Sequence, residues 1–119
     1  MTDLKAVKGD TNIYNLRVVR SDTPVDLSDA KTWFTAKVDL DEIDADAAIA
    51  LNSEDDQSQI IYTTPLQGRM QIVLNPGDTS DLVEDALYYD VQVVEQSGVI
   101  TTIVSGVLHI AKDVTKTVS

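Results

Sequence analysis

The sequence lacks cysteine and contains a single histidine, His109. Without cysteine the chain forms no disulfide bond and offers no thiolate to a metal ion. Zinc needs about three or four nitrogen, sulfur or carboxylate ligands, and one histidine without cysteine argues against such a set. A nucleophile–histidine–acid arrangement would have to use His109, which stands between Leu108 and Ile110 and is predicted to face away from both. The sequence therefore predicts neither a zinc site nor a catalytic triad, and we expect no enzyme.

The sequence also lacks a long apolar run and has few basic residues. No stretch of about 18 apolar residues could span a bilayer, and the polar start MTDLKAVKGD has no apolar core of a secretion signal. We therefore expect a protein made and kept inside a cell, or released without Sec export. Nine Lys and Arg against 20 Asp and Glu give a net charge of −11. This charge argues against nucleic acid and anionic membranes as partners, and it suits docking on a basic protein surface.

Segments in which apolar and polar residues alternate are abundant. The segment KTWFTAKV (Lys31–Val38) places Phe34, Ala36 and Val38 on one face, and this period of two is typical of a half-buried strand. Trp33 falls on the opposite, less apolar face. The further predicted strands are Thr11–Arg20, Ser58–Thr64, Arg69–Asn75, Ala86–Val94 and Val99–Ala111. In the last of these, one face is predicted to consist of Ile100, Thr102, Val104, Gly106, Leu108 and Ile110. The predicted core consists of Phe34, Ile72, Leu74, Tyr89, Val91, Val93, Leu108 and Ile110.

The number and spacing of these segments predict the fold class. Six or seven strands at near-regular spacing, joined by turn residues and at most one short helix, indicate an all-β fold. We expect a single domain over residues 1–119, an antiparallel β-sandwich of about seven strands with one short helical or loop insert. Residues 1–10 are expected to form a flexible N-terminal arm, and residues 114–119 a C-terminal tail.

The predicted insert, residues 39–56, is strongly acidic, with eight acids and no base. Ile43, Ala47 and Leu51 follow one another at four-residue spacing, which predicts a short helix or an ordered loop across the sheet edge. The candidate calcium ligands in this insert are Asp39, Asp41, Asp44 and Asp46. The pattern of a calcium loop is not met, because Ile43 occupies the third ligand position and Asp44 stands where glycine is needed. We therefore expect a solvated acidic surface and no cofactor.

An exposed tryptophan and an acidic surface together suggest contact with another protein. Trp33 is the sole tryptophan of the chain and lies on the less apolar face of its strand. The predicted partner-contact residues are Trp33, Asp39, Asp41, Glu42, Asp44 and Asp46.

Three stretches in order resemble one known family. They are VDLSDAKTWFTAKV (Val25–Val38), GRMQIVLNPGDTSDL (Gly68–Leu82) and YYDVQVVEQSGVITTIVSGVLHIAKDVT (Tyr88–Thr115). Together they resemble the N-terminal domain family of phage baseplate upper proteins, which are immunoglobulin-like domains of tailed-phage virions. The resemblance implies an immunoglobulin-like sandwich without enzymatic residues, made in the host bacterial cytoplasm and located in the virion. It also implies other virion proteins as partners and a homo-oligomer in the assembled particle.

Other functions stay open beside docking in a baseplate or tail. Family members often continue into coiled-coil or receptor-binding modules, and this sequence ends four residues after Thr115, which favours docking or adaptor work over complete host attachment. A phage head-decoration or head–tail accessory protein is one alternative. The other is a sugar- or cell-surface-binding module that uses Trp33 and the acidic insert.

Overall fold

The computed structural model describes residues 2–39 and 47–111, and in these ranges the chain is all-β. No helix in these ranges has the length and apolar composition of a membrane span. The strands are β1 (Leu4–Val7), β2 (Asn12–Arg17), β3 (Val19–Arg20), β4 (Thr23–Pro24), β5 (Lys31–Lys37), β6 (Ile49–Asn52), β7 (Ile60–Thr64), β8 (Arg69–Leu74), β9 (Ala86–Val94) and β10 (Ile100–Ala111). A 3₁₀ turn (Pro65–Gln67) joins β7 to β8, and a one-turn helix, α1 (Pro76–Thr79), follows β8.

The strands form two main sheets. The first sheet has five strands in the order β1-β10-β9-β5-β6, and the second has three in the order β2-β8-β7. β3 and β4 form a separate small hairpin. The β1–β10 pair is parallel, whereas the other pairs formed by residues 2–39 and 47–111 are antiparallel.

The core lies between the inner faces of the two main sheets. One buried cluster joins Phe34, Tyr89 and Leu108 of the first sheet to Ile72 and Leu74 of the second. All eight core residues predicted from the alternation are buried, which confirms the inward faces of β5, β8, β9 and the second half of β10. The prediction that Val38 shares the buried face of Phe34 and Ala36 is wrong, because β5 ends at Lys37 and Val38 is 46% exposed. The rings of Phe34 and Tyr89 stack with their centroids 5.9 Å apart.

The N-terminal residues differ from the expected flexible arm. Leu4–Val7 forms β1 and pairs with the C-terminal half of β10, with Ala6 opposite Ile110. Ahead of this strand, the Thr2 N–H donates to the Ser105 carbonyl at 2.8 Å, and the Tyr89 hydroxyl donates to the Thr2 carbonyl. The start of the chain is therefore an edge strand of the five-stranded sheet.

The acidic insert also differs from its prediction. Ile49–Asn52 forms strand β6 on β5, with Ile49 and Leu51 buried, and not a helix. Residues 40–46, including Ile43, lie outside the described residues. The helical prediction for Ala47–Leu51 is wrong because the two-residue alternation of Ile49 and Leu51 fits the inner face of the sheet.

Strand β10 contains a β-bulge that shifts the predicted phase. The register with β9 slips between Thr102 and Val104. Before the bulge, Ile100 faces outward and is 66% exposed, while Ile103 packs against the core. The prediction that Ile100 and Thr102 share the inner face with Leu108 is therefore wrong, because one extra residue reverses which side chains point inward.

Candidate binding surface

The outer face of the five-stranded sheet carries a shallow groove, here called the Trp33 groove. Its volume is about 450 Å³. The residues that line it include Trp33, Thr35, Lys37, Tyr88, Asp90, Gln92, Val94, Ile100 and Ser105. They come from three neighbouring strands, β5, β9 and β10, whose outward side chains form one continuous surface.

The register of β5 and β9 places aromatic and polar groups in successive rows across this surface. Trp33 lies opposite Gln92, and Lys37 lies opposite Tyr88. The row between them contains Asp90. Alternation along each strand produces this arrangement, since every second residue of β5 and β9 faces away from the core. The groove therefore combines two aromatic rings with carboxylate, amide and ammonium groups.

The apolar part of the groove is open to solvent. Trp33 is 37% exposed, Tyr88 is 43% exposed, and the bulge turns Ile100 toward the same face. Several exposed apolar side chains along one groove mark a binding surface more often than single exposed residues do. Tryptophan and tyrosine are also the residues that contribute most to protein interfaces.

Most acidic residues of the described ranges lie outside the strands, whereas most basic residues lie in strands. Among the described residues, Asp90 is the one acid within a strand, whereas six of the nine Lys and Arg of the chain lie in strands. These six are Lys5, Arg17, Arg20, Lys31, Lys37 and Arg69. The sheet faces are thus neutral or basic although the whole chain is strongly acidic.

The predicted contact residues are only partly brought together. Trp33 faces outward, as the alternation of its strand predicts, and Asp39 lies two residues after the end of β5. The other candidates, Asp41, Glu42, Asp44 and Asp46, lie outside the described residues. In the ranges 2–39 and 47–111, no group of three or more acidic or histidine side chains is placed to hold a metal ion. Whether these residues contact a partner stays a prediction.

Trp33 is the one groove residue that was among the sequence candidates, and the two other exposed apolar residues of the groove, Tyr88 and Ile100, were missed. Tyr88 alternates with the inward residues of its strand, so its outward direction is visible in the sequence. Its place in the same groove as Trp33 depends on β5 pairing with β9, which the alternation of single strands does not reveal. Ile100 was missed because the bulge reverses its direction.

His109 lies outside the groove and has a structural partner. Its Nε2 atom lies 3.1 Å from Oδ2 of Asp3, and both side chains are about half exposed. The other carboxylate oxygen of Asp3 accepts the Val107 N–H at 3.2 Å. Asp3 therefore ties the start of the chain to β10, and His109 belongs to that contact.

Acid is expected to weaken this contact. The hydrogen bond with His109, and then that from the Val107 N–H, lower the pKa of Asp3 below its ordinary value of 3.8. The ionised carboxylate thus contributes stability above about pH 4, and this contribution is lost as the pH falls through the folded pKa. We expect Asp3→Asn to lose part of the acid dependence of unfolding, measured by thermal melts between pH 2 and pH 7. Identical acid dependence in both proteins would contradict this role of Asp3.

A second depression lies between the β3–β4 hairpin and the turn that joins β9 to β10. Arg20 bridges its two sides, because its guanidinium forms an ion pair with Glu95 and donates to Oγ1 of Thr101 at 3.3 Å. The bond with Glu95 raises the pKa of Arg20. This ion pair therefore links the two sides of the depression, and its two charged groups pair with each other.

Together these features define an all-β chain with an exposed aromatic groove on one sheet face. Comparison with known protein families finds no match for this chain, and comparison with curated proteins finds none either.

Proposed function

We propose that this chain is a non-enzymatic binding module that docks through the Trp33 groove on another protein. One observation carries the proposal, namely that Trp33, Tyr88 and Ile100 share an exposed face of the five-stranded sheet. Burial of such rings against a partner removes apolar surface from water at roughly 25 cal/mol per Å². The polar groups between them can fix the orientation of the partner through hydrogen bonds.

The biological setting that we propose is a tailed-phage virion. The support is the resemblance of Val25–Val38, Gly68–Leu82 and Tyr88–Thr115 to the baseplate upper protein N-terminal domains. These stretches contain β5, β8, β9 and β10, which supply much of the shared core. In this proposal the two sheets are an immunoglobulin-like sandwich of about seven principal strands. The module is made in the host cytoplasm and docks as an adaptor in the baseplate or tail, and a head-decoration or head–tail accessory role is the alternative.

The sole tryptophan provides a direct test of docking. We expect Trp33 fluorescence to shift to shorter wavelength when the purified virion proteins of the encoding phage are added, because partner contact removes water from the ring. Trp33→Ala is expected to weaken binding about tenfold or more, measured by calorimetry, as truncation of interface tryptophans does. Tyr88→Ala should weaken it as well.

The control for this experiment is Val83→Ala, since Val83 is 87% exposed and lies outside the groove. Its binding and its melting temperature should match those of the unmodified protein. Full binding by a folded Trp33→Ala protein would overturn docking through the groove. Binding to capsid proteins instead of tail proteins would favour the head-decoration alternative.

A sugar- or cell-surface-binding function is the second candidate, and the composition of the groove favours it. Trp33 offers a ring on which a sugar can stack, and its cross-strand neighbour Gln92 offers hydrogen bonds. The same fluorescence titration with host cell-wall glycans, with and without calcium, discriminates the two functions. A saturable change that Gln92→Ala abolishes would support sugar binding. No change with any glycan would remove this candidate.

A further inference from the structure

The outer face of the three-stranded sheet has a basic end. Arg17 of β2 and Arg69 of β8 are directly opposite each other in the register, and both are exposed. Like charges in opposite positions of neighbouring strands repel each other. The Arg17 Nε atom donates to the Gln67 carbonyl at 3.5 Å. Within residues 2–39 and 47–111, neither guanidinium forms an ion pair. This face therefore presents two adjacent positive charges to solvent.

The remainder of this face contains no acid to neutralise the two arginines. Its outward strand residues, apart from the arginines, are Ile13, Asn15, Ile61, Thr63, Gln71 and Val73. Ile13 and Ile61 are exposed apolar residues. In a chain with 20 acids, this face is thus acid-free along its strands and partly apolar.

The opposite end of the same sheet is acidic. The turn Ser53–Gln59 enters β7 at the end where Asn12 pairs with Leu74, away from Arg17 and Arg69. Exposed Glu54 and Asp55 lie in this turn. The two ends are separated by the length of β8, roughly 17 Å at about 3.4 Å per residue. The acids of one copy therefore cannot reach the arginines of the same copy across the sheet.

Internal hydrogen bonds fix the shape of this acidic turn. The N–H groups of Glu54 and Asp55 both donate to Oδ1 of Asn52, at 3.0 and 2.8 Å. The Asn52 N–H in turn donates to the Asp56 carboxylate at 3.0 Å. Lys31 contacts Glu54 at 2.7 Å, in an exposed ion pair. The turn thus presents carboxylates on a preformed loop, so little conformational entropy is lost when they meet a partner.

We propose that the basic end of the three-stranded sheet binds the acidic turn of a second copy of this chain, head to tail. The carboxylates of Glu54 and Asp55 meet Arg17 and Arg69, whose planar guanidinium groups are suited to bidentate pairing with carboxylates. Each copy carries both halves of the contact at opposite ends of one sheet, so the contact is heterologous. Such contacts close into a ring or continue as a filament. The proposal does not use the Trp33 groove.

The size of the face indicates that the contact is weak in free solution. Three strands about 4.8 Å apart and about 20 Å long cover an area well below the roughly 800 Å² per partner of a stable interface. Copies held side by side on a common scaffold would form it readily, because tethering raises their effective concentration. We therefore expect association at high protein concentration and at moderate ionic strength.

Sedimentation velocity of the full chain tests the proposal. At about 0.1 M salt, charges more than about 10 Å apart are screened, which reduces the repulsion between two acidic copies and leaves adjacent ion pairs. We expect the average sedimentation coefficient to rise with protein concentration up to about 1 mM, and to stay at the monomer value in about 1 M salt. Arg17→Glu with Arg69→Glu should give a monomer at every concentration.

Mixing two charge-reversed proteins is the decisive experiment. Glu54→Lys with Asp55→Lys should also give a monomer alone, because it then carries no acidic partner for its arginines. An equimolar mixture of the two doubly substituted proteins should associate again, with the two proteins alternating. The intact arginines of one protein then meet the intact turn of the other, and the introduced lysines meet the introduced glutamates.

Two control proteins exclude other causes for the loss of association. Lys5→Glu with Lys8→Glu makes the same change in net charge, but these lysines lie in β1 and directly after it; this protein should still associate. Arg17→Gln with Arg69→Gln removes the positive charges without adding negative ones and should also abolish association. A monomeric unmodified protein at about 1 mM and 0.1 M salt would overturn the proposal, and so would a mixture that stays monomeric.

Discussion

Replacing Phe34 with alanine is expected to lower the free energy of unfolding by about 3–5 kcal/mol. The side chain is fully buried and stacks on Tyr89 in the cluster that joins the two sheets. Removal of the ring loses its transfer free energy and leaves a cavity that rigid strands on both sides cannot fill. Because domains of this size are stable by only about 5–15 kcal/mol, the loss should appear as a large shift of the urea midpoint, followed by far-ultraviolet circular dichroism.

Two further substitutions test whether the loss of stability comes from removal of the Phe34 ring and not from removal of apolar atoms at any position. Phe34→Leu keeps an apolar side chain in the cluster and should cost clearly less than Phe34→Ala. Val83→Ala removes apolar atoms from a side chain that is already 87% exposed, so it should stay within about 0.5 kcal/mol of the unmodified protein. If Phe34→Ala also stayed in that range, Phe34 would not face the shared core.

The long strands were predictable from sequence because alternation directly reports the face of a sheet. In β9, Leu87, Tyr89 and Val91 alternate with outward residues over nine positions, and no helical spacing competes with that pattern. The inward residues of β5 and β8 follow the same rule, and the predicted core is confirmed there. Segments of this length carry enough repeats of the period to fix both the strand and its buried face.

The short strands were not predicted because the strands with which they pair lie elsewhere in the sequence. β1 and β6 have four residues each, which is only two repeats of the strand period and about one of the helical period. β1 pairs with β10, about a hundred residues later in the chain, so its stability comes from a contact that local sequence cannot report. In β6, Ile49 and Leu51 fit the two-residue alternation of a strand, whereas Ala47 and Leu51 fit the four-residue spacing of a helix. Pairing with β5 selects the strand.

The outward direction of each residue on the candidate surface was predictable within its own strand. The grouping of these residues into one site was not predictable. The outward directions of Trp33 and Tyr88 follow from alternation within β5 and β9. Their common groove requires the order β10-β9-β5, which brings strands distant in sequence together. The charge of the two sheet faces is likewise a property of topology, since Arg17 and Arg69 are far apart in the sequence and adjacent in the structure.

Substitution of Gly106 by alanine is expected to destabilise the protein by about 1–3 kcal/mol and to detach β1. A Cβ atom at this position would lie 2.7 Å from the Thr2 carbonyl carbon, closer than packed atoms allow, and 3.1 Å from the Thr2 nitrogen, which is a tight contact. The obstacle is backbone, so no side-chain rotation relieves it. The start of the chain must move away from β10, which breaks the Thr2–Ser105 and Tyr89–Thr2 hydrogen bonds. Urea unfolding measures the stability, and amide hydrogen exchange of residues 4–7 measures the detachment.

Gly77→Ala is the matched control, since no atom lies within 4 Å of a Cβ at that position in α1. Alanine is the better helix former, so this change should be neutral or stabilising by up to about 1 kcal/mol. Loss of exchange protection in β1 by Gly106→Ala alone would show that a glycine in β10 is needed for the approach of the N-terminal segment. Full protection of residues 4–7 in that protein would instead mean that β1 does not require the close contact between Thr2 and Gly106. In that case the parallel pairing with β10 would by itself hold the start of the chain.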